Sequence, residues 1–313
     1  MSGQSKWLKV ILTLCGIGLL ACMIAWIGPV AVWDRLKSID LAYLSEALVA
    51  VVVGTLISAV NSYLICGASQ VMTFFEYARA YWVAWAVGLV VPGQIGDVLT
   101  LNQVLRRRGM PLSQSVARTG VDKIVSLFCA LLAASQIFRL SDALILRTLS
   151  WVASSLLFGL IVFLSMSLWL LHHIGRFAFR RRWIEGVVAT AAEIVRIVLV
   201  HPWLLLLNLV LSILKVGLTG ISYWLVLSGL TGVFSSYAKV TIAAVSSGLI
   251  AYLPMSANGI GTVEIAGTGL FGSIGLGVDV VLSMYLVLRL ANIVLAWIPA
   301  IFVLPSLLHY RRT

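Results

Sequence analysis

The chain has 313 residues, 61% of them hydrophobic and only 11% charged, with a mean hydropathy of +1.06. Soluble domains carry about 45–50% apolar and about 25% charged residues, so no soluble globule can bury this much apolar surface, and a bilayer has to act as solvent. The net charge of +11 is read as basic cytoplasmic loops facing anionic lipid, and the absence of a basic soluble face argues against nucleic-acid binding.

The apolar runs are long and lack ten-residue alternation, which predicts helices rather than a barrel. Full spans are expected near 9–28, 41–66, 113–138, 150–171, 203–228 and 280–304, each about the length a bilayer core requires. The first follows Lys6 and Lys9 and is too long for a signal-peptide core, so it is read as a retained helix. Two further apolar stretches, 80–105 and 238–275, are interrupted near their middles. One carries Pro92, Gly93 and Gly96; the other carries Pro254, Gly259 and Gly261. Proline removes a backbone donor, clustered glycine weakens the helix, and such backbone survives at membrane depth only inside protein or beside a wet cavity. Both stretches are expected to be re-entrant helical hairpins, with a pair of kinked full spans as the alternative in each place.

Basic clusters at Arg106–Arg108, Arg176–Arg182 and Arg311–Arg312 all fall on the cytoplasmic side if each broken stretch returns to the side it entered from. The expected fold is therefore an all-α polytopic membrane protein of six transmembrane helices and two re-entrant hairpins, with both termini cytoplasmic. The segment 173–200 is too short for a catalytic domain and is expected to hold an amphipathic surface helix around Trp183–Arg196. Cys15, Cys22, Cys66 and Cys129 lie in apolar runs without CxxC spacing, and the four histidines lack metal-ligand spacing. Neither a metal nor a cofactor is expected.

An internal repeat is visible at an offset of 160: Ser62/Ser222, Tyr63/Tyr223, Phe74/Phe234, Tyr77/Tyr237, Ala78/Ala238, Ala84/Ala244, Gly88/Gly248 and Leu89/Leu249. Roughly two or three identities would arise by chance at this composition. Beyond the prolines the offset grows, so that Asp97 faces Glu264 and Lys123 faces Arg289. Three crossings separate the copies and invert the second, giving halves 1–138 and 139–313. Inverted repeats with interrupted helices place a transport site near the bilayer midplane.

Each ionisable group inside a span costs about 2.5–3.5 kcal/mol on insertion scales and is a functional candidate. Lys123 lies about ten residues into its span and Arg289 is about as deep in the last one, near the midplane. Arg118 and Asp122 are spaced for an ion pair along one helix. Lys215 lies within the fifth span, and Asp97, Asn258 and Glu264 lie at the broken-helix motifs. The candidate substrate-binding set is thus Asp97, Arg118, Asp122, Lys123, Lys215, Asn258, Glu264 and Arg289. Cations and half-helix N-termini are expected to hold phosphate, while simple pairing that fixes helix register is the competing account. Asp279 is expected to cap the last span.

The segment from Leu253 to Glu264, with Pro254, Ser256, Gly259, Gly261 and Glu264, resembles the signature of the flippase-like family built around the transmembrane region of lysylphosphatidylglycerol synthases. Pro92–Asp97 is similar to its first-half counterpart, with Asp97 where the family usually has Glu and Thr100 where an Arg often follows. Asp122–Lys123 stands where Glu–Arg is usual. The resemblance runs from about residue 45 to 305. It implies a lipid flippase or translocase of the bacterial inner membrane, acting on a phospholipid or lipid-linked intermediate by alternating access. Family members that transfer amino acids carry a soluble C-terminal domain, so this chain, ending at Thr313, is expected not to be an enzyme. The alternatives are a secondary transporter of a small polar solute or ion, and a non-transporting partner of a lipid-synthesis enzyme. Oligomeric state is left open by the sequence.

Overall fold

The computed structural model describes residues 18, 21–25, 28–91, 93, 95–141, 143–174, 182–253 and 255–309. Among them the regular elements are helices, with no strand: α1 (Pro29–Lys37), α2 (Leu41–Cys66), α3 (Phe74–Gly88), α4 (Gly96–Arg107), α5 (Leu112–Ala134), α6 (Leu144–Ile174), α7 (Arg182–Val200), α8 (Pro202–Thr231), α9 (Tyr237–Gly248), α10 (Thr262–Gly272) and α11 (Val278–His309). Most of the expected first span, Pro92, Gln94 and Pro254 lie outside the described residues.

Among the described residues four helices are long and apolar enough to cross a bilayer: α2, α5 with the 3-10 turn after it, α8, and α11 as far as Val303. Their mean hydropathies run from 1.7 to 2.2. The expected spans at 41–66, 113–138, 203–228 and 280–304 are met within a few residues. Asp40 opens α2, its carboxylate accepting from the Ala42 N–H at 2.8 Å. Pro202 occupies the first turn of α8, where its missing N–H costs nothing.

Both broken stretches are interrupted in the structure. α3 ends at Gly88 and α4 begins at Gly96; the two helices pack on each other, and Asp97 Cβ lies where it would touch a side chain at Gly88. In the second stretch α9 gives way to a 3-10 turn, Leu249–Tyr252, followed by irregular chain before α10 starts at Thr262. A capping box of Thr73 and Glu76 starts α3. There the Thr73 N–H, with Arg108 beside it, holds the Glu76 carboxyl below the usual carboxylate range.

The packing has a paired pattern. α2 packs on α3 as α8 packs on α9, and α3 on α4 as α9 on α10. Likewise α4 meets α5 as α10 meets α11, and α3 meets α11 as α9 meets α5. The short α1 lies on α11, while α7 lies on α5. At the centre α2 crosses α8, and the buried faces there carry small or polar residues such as Ala47, Ser58, Asn61, Asn208, Ser212 and Gly220. Large apolar side chains of the same helices, including Val49, Val53, Leu206 and Val210, point outward. Close approach of small faces with bulky residues outside is how helices associate in lipid, where tail and Leu are equally apolar.

Candidate functional site

Each broken stretch delivers a carboxylate to the start of its second helix. Asp97 is in the first turn of α4, and Glu264 is in the first turn of α10. Asp97 Oδ1 accepts from the Val98 N–H at 2.8 Å, and Glu264 Oε2 accepts from the Gly261 N–H at 2.7 Å. Each carboxylate thus satisfies an orphan donor at its own helix end and offers its second oxygen outward. A basic residue takes that oxygen in both places. Lys123 Nζ lies 2.5 Å from Asp97 Oδ2, and the Arg289 guanidinium reaches Glu264 Oε1 at 2.6 Å from Nη2 and 2.7 Å from Nε.

Lys123 and Arg289 each stand eleven residues beyond the first residue of their helices, α5 and α11. At helical rise that is about 16 Å, half the thickness of a hydrocarbon core. The two pairs differ in wetness. Glu264 is fully buried and Arg289 is 17% exposed, whereas Asp97 and Lys123 are 19% and 30% exposed.

Between the pairs lies a cavity of about 310 Å³. Asp97, Asn258 and Arg289 line it together with Trp85, Tyr223 and Asn292. Asn258 has a left-handed backbone (φ 43°), and its carbonyl accepts from Arg289 Nη1 at 3.5 Å. At the next residue, Gly259 (φ 69°), an added Cβ would run into the Val263 side chain and Ala251. That turn brings the Asn258 carbonyl to the guanidinium.

Of the eight candidates only Asp97, Asn258 and Arg289 line this cavity; Lys123 and Glu264 stand behind it as the partners of Asp97 and Arg289, Lys215 lines a second cavity, and two are placed elsewhere. Arg118 and Asp122 do not pair. The Arg118 guanidinium bonds Glu193 of α7 at 2.7 Å and fills the space beside Gly67, whose left-handed backbone (φ 60°) ends α2. A surface helix with a free carboxylate competes successfully with a neighbour one turn along the same helix, because α7 lies directly on α5. Asp122 is held instead by two amides: Asn208 Nδ2 donates to its Oδ1 at 2.8 Å and Asn61 Nδ2 at 3.3 Å. Neither residue lines the cavity. Asp279 lies inside the first turn of α11 rather than before it, and pairs with Arg35 of α1 at 3.0 Å.

At the N-termini of α4 and α10, where phosphate was expected, Asp97 and Glu264 each accept one backbone N–H. Sequence reasoning passed over Glu193, Asn61 and Asn208. An asparagine amid leucine and valine was the available signal, one in each of two long apolar helices.

A family model described as the lysylphosphatidylglycerol synthase TM region matches residues 7–300, nearly the whole chain. The chain belongs to this family. It is a multi-pass membrane protein of a family linked to lipid metabolism. No curated protein matches it.

Proposed function

We propose that the chain is a lipid translocase of the bacterial inner membrane, a carrier rather than an enzyme. It moves a phospholipid or lipid-linked intermediate between leaflets by alternating access. The observation that carries this reading is the cavity between the two broken stretches, lined by Asp97, Asn258 and Arg289 at mid-membrane depth. A volume of about 310 Å³ sits at the lower end of ligand pockets, enough for a head group and not for acyl chains. Tails left in lipid while the head group exchanges its hydration for protein groups is the arrangement such a cavity fits.

Supporting the alternating-access part is the paired packing, in which each contact of α2–α5 has a counterpart in α8–α11. Read with three intervening crossings, the halves are oppositely oriented and the broken stretches are re-entrant hairpins entering from opposite sides. In that arrangement Glu76–Arg108 and Arg118–Glu193 fall on the cytoplasmic side with the basic clusters, while Arg35–Asp279 falls on the outer side.

The test is reconstitution in liposomes with labelled phospholipids, reading leaflet exposure with and without a pH gradient. Lys123→Ala and Arg289→Ala are expected to lower lipid movement to the protein-free level while the proteins still elute as single species. Wild-type movement in both variants would remove the cavity from the mechanism.

A further inference from the structure

A second cavity of about 260 Å³ adjoins the first and shares Trp85, Tyr223, Leu288 and Asn292 with it. It lies along the seam between α2 and α8, and Lys215 is the charged residue in its lining. Arg118, Lys123 and Arg289 each hold a carboxylate within 2.7 Å. Lys215 differs. Among the described residues its one side-chain hydrogen bond goes to Ser126 Oγ, at 3.4 Å, and it makes no ion pair. Asp122, one turn before Ser126 on α5, is engaged by Asn61 and Asn208.

The serine and threonine hydroxyls around this cavity are spent as donors. Thr55, Ser58, Thr219 and Ser222 each donate to a backbone carbonyl of their own helix. They can accept from a ligand but give an anion nothing; Trp85, Tyr223 and Asn292 add only neutral donors, which leaves the ammonium as the one charged donor in this lining. The half-helix N-termini, the other positive ends at this depth, are closed by Asp97 and Glu264.

We infer that Lys215 and this second cavity form the phosphate subsite of the carrier, receiving the phosphodiester oxyanion of a lipid while the rest of the head group enters the first cavity. The inference rests on the translocation reading and adds a division of labour to it. The charge pairs face the variable part of the head group, and Lys215 faces the part common to phospholipids. A phosphate-free amphiphile would gain nothing from Lys215.

The experiment measures calorimetric binding to the purified full chain in detergent. The ligands are dihexanoyl phosphatidylglycerol, dihexanoylglycerol and inorganic phosphate; the proteins are wild type, Lys215→Met and Lys215→Arg. Loss of one charge-assisted hydrogen bond predicts about tenfold weaker binding of the phosphatidylglycerol by Lys215→Met, with most of it retained by Lys215→Arg. Dihexanoylglycerol is expected to bind all three alike. Equal phosphatidylglycerol binding by wild type and Lys215→Met, or equal loss for both lipids, would overturn the assignment. Inorganic phosphate binding as tightly as the lipid, with the same dependence on Lys215, would reassign the cavity to a free anion. Because binding is read without movement, immobile lipid in the leaflet assay would defeat the translocation reading and leave this contrast standing.

Discussion

Glu264 and Asp97 do the same job in unequal surroundings. Glu264 is fully buried, so neutralising it leaves the mostly buried Arg289 guanidinium with the Asn258 carbonyl at 3.5 Å as its remaining protein partner. Breaking a buried pair from one side costs roughly 3–5 kcal/mol. Lys123 and Asp97 keep access to solvent, and water takes up much of the loss there. Glu264→Gln is therefore expected to lower the thermal midpoint of the purified protein well below that of Asp97→Asn, and equal midpoints would show that the pairs are equally dry. At this scale the sequence was partly legible. Lys123 and Arg289 were placed by counting along their spans, and their carboxylates by lying in glycine-broken motifs. Arg118 was misjudged because its partner, Glu193, is 75 residues away on another helix, a distance no local spacing rule reaches. The Asn61–Asp122–Asn208 cluster needed the same knowledge of which helices touch.

Helix ends and breaks govern the elements. The turn at Asn258–Gly259 exists only because glycine accepts φ 69° with Ala251 and Val263 close by. Gly259→Ala adds strain and a clash, worth roughly 1–3 kcal/mol. The expected result is a thermal midpoint several degrees lower and slower lipid exchange, with the α-helical circular dichroism retained. An unchanged midpoint would mean that the backbone there relaxes freely. α7 offers a separate check. Arg118–Glu193 is a largely buried tie between a surface helix and a span, and Glu193→Ala leaves Arg118 without its carboxylate. Limited proteolysis should then cut within 175–200 faster than in wild type. This helix was foreseen around Trp183–Arg196 as an amphipathic surface helix and extends over Arg182–Val200. α1 was not foreseen, because nine residues following a Gly-Pro step carry too little periodicity to separate from a loop.

For the whole molecule, the apolar runs placed the long helices within a few residues, since hydropathy and length are local properties. Which helices touch is not local: the repeat at offset 160 says which segments correspond, and the contacts of α2 with α8 and α3 with α11 came only with the structure. The proposed opposed orientation of the two halves makes a direct prediction. In a background without native cysteines, Ile95→Cys and Met255→Cys, both at exposed positions beside the breaks, should react with a membrane-impermeant thiol reagent from opposite faces of sealed vesicles. Ile95→Cys is expected to label from the cytoplasmic face and Met255→Cys from the outer face. Labelling of both from one face would exclude inverted halves.

The carboxylates seated at the starts of α4 and α10 bear on the protein at rest. Lys123 and Arg289 are each neutralised by an acid on the neighbouring helix, so on the proposed reading these two cations offer a stray ion little net field. A cargo has to trade places with those internal partners. If the proposed carrier function holds, a cell living on its membrane potential can keep the protein in quantity without short-circuiting itself.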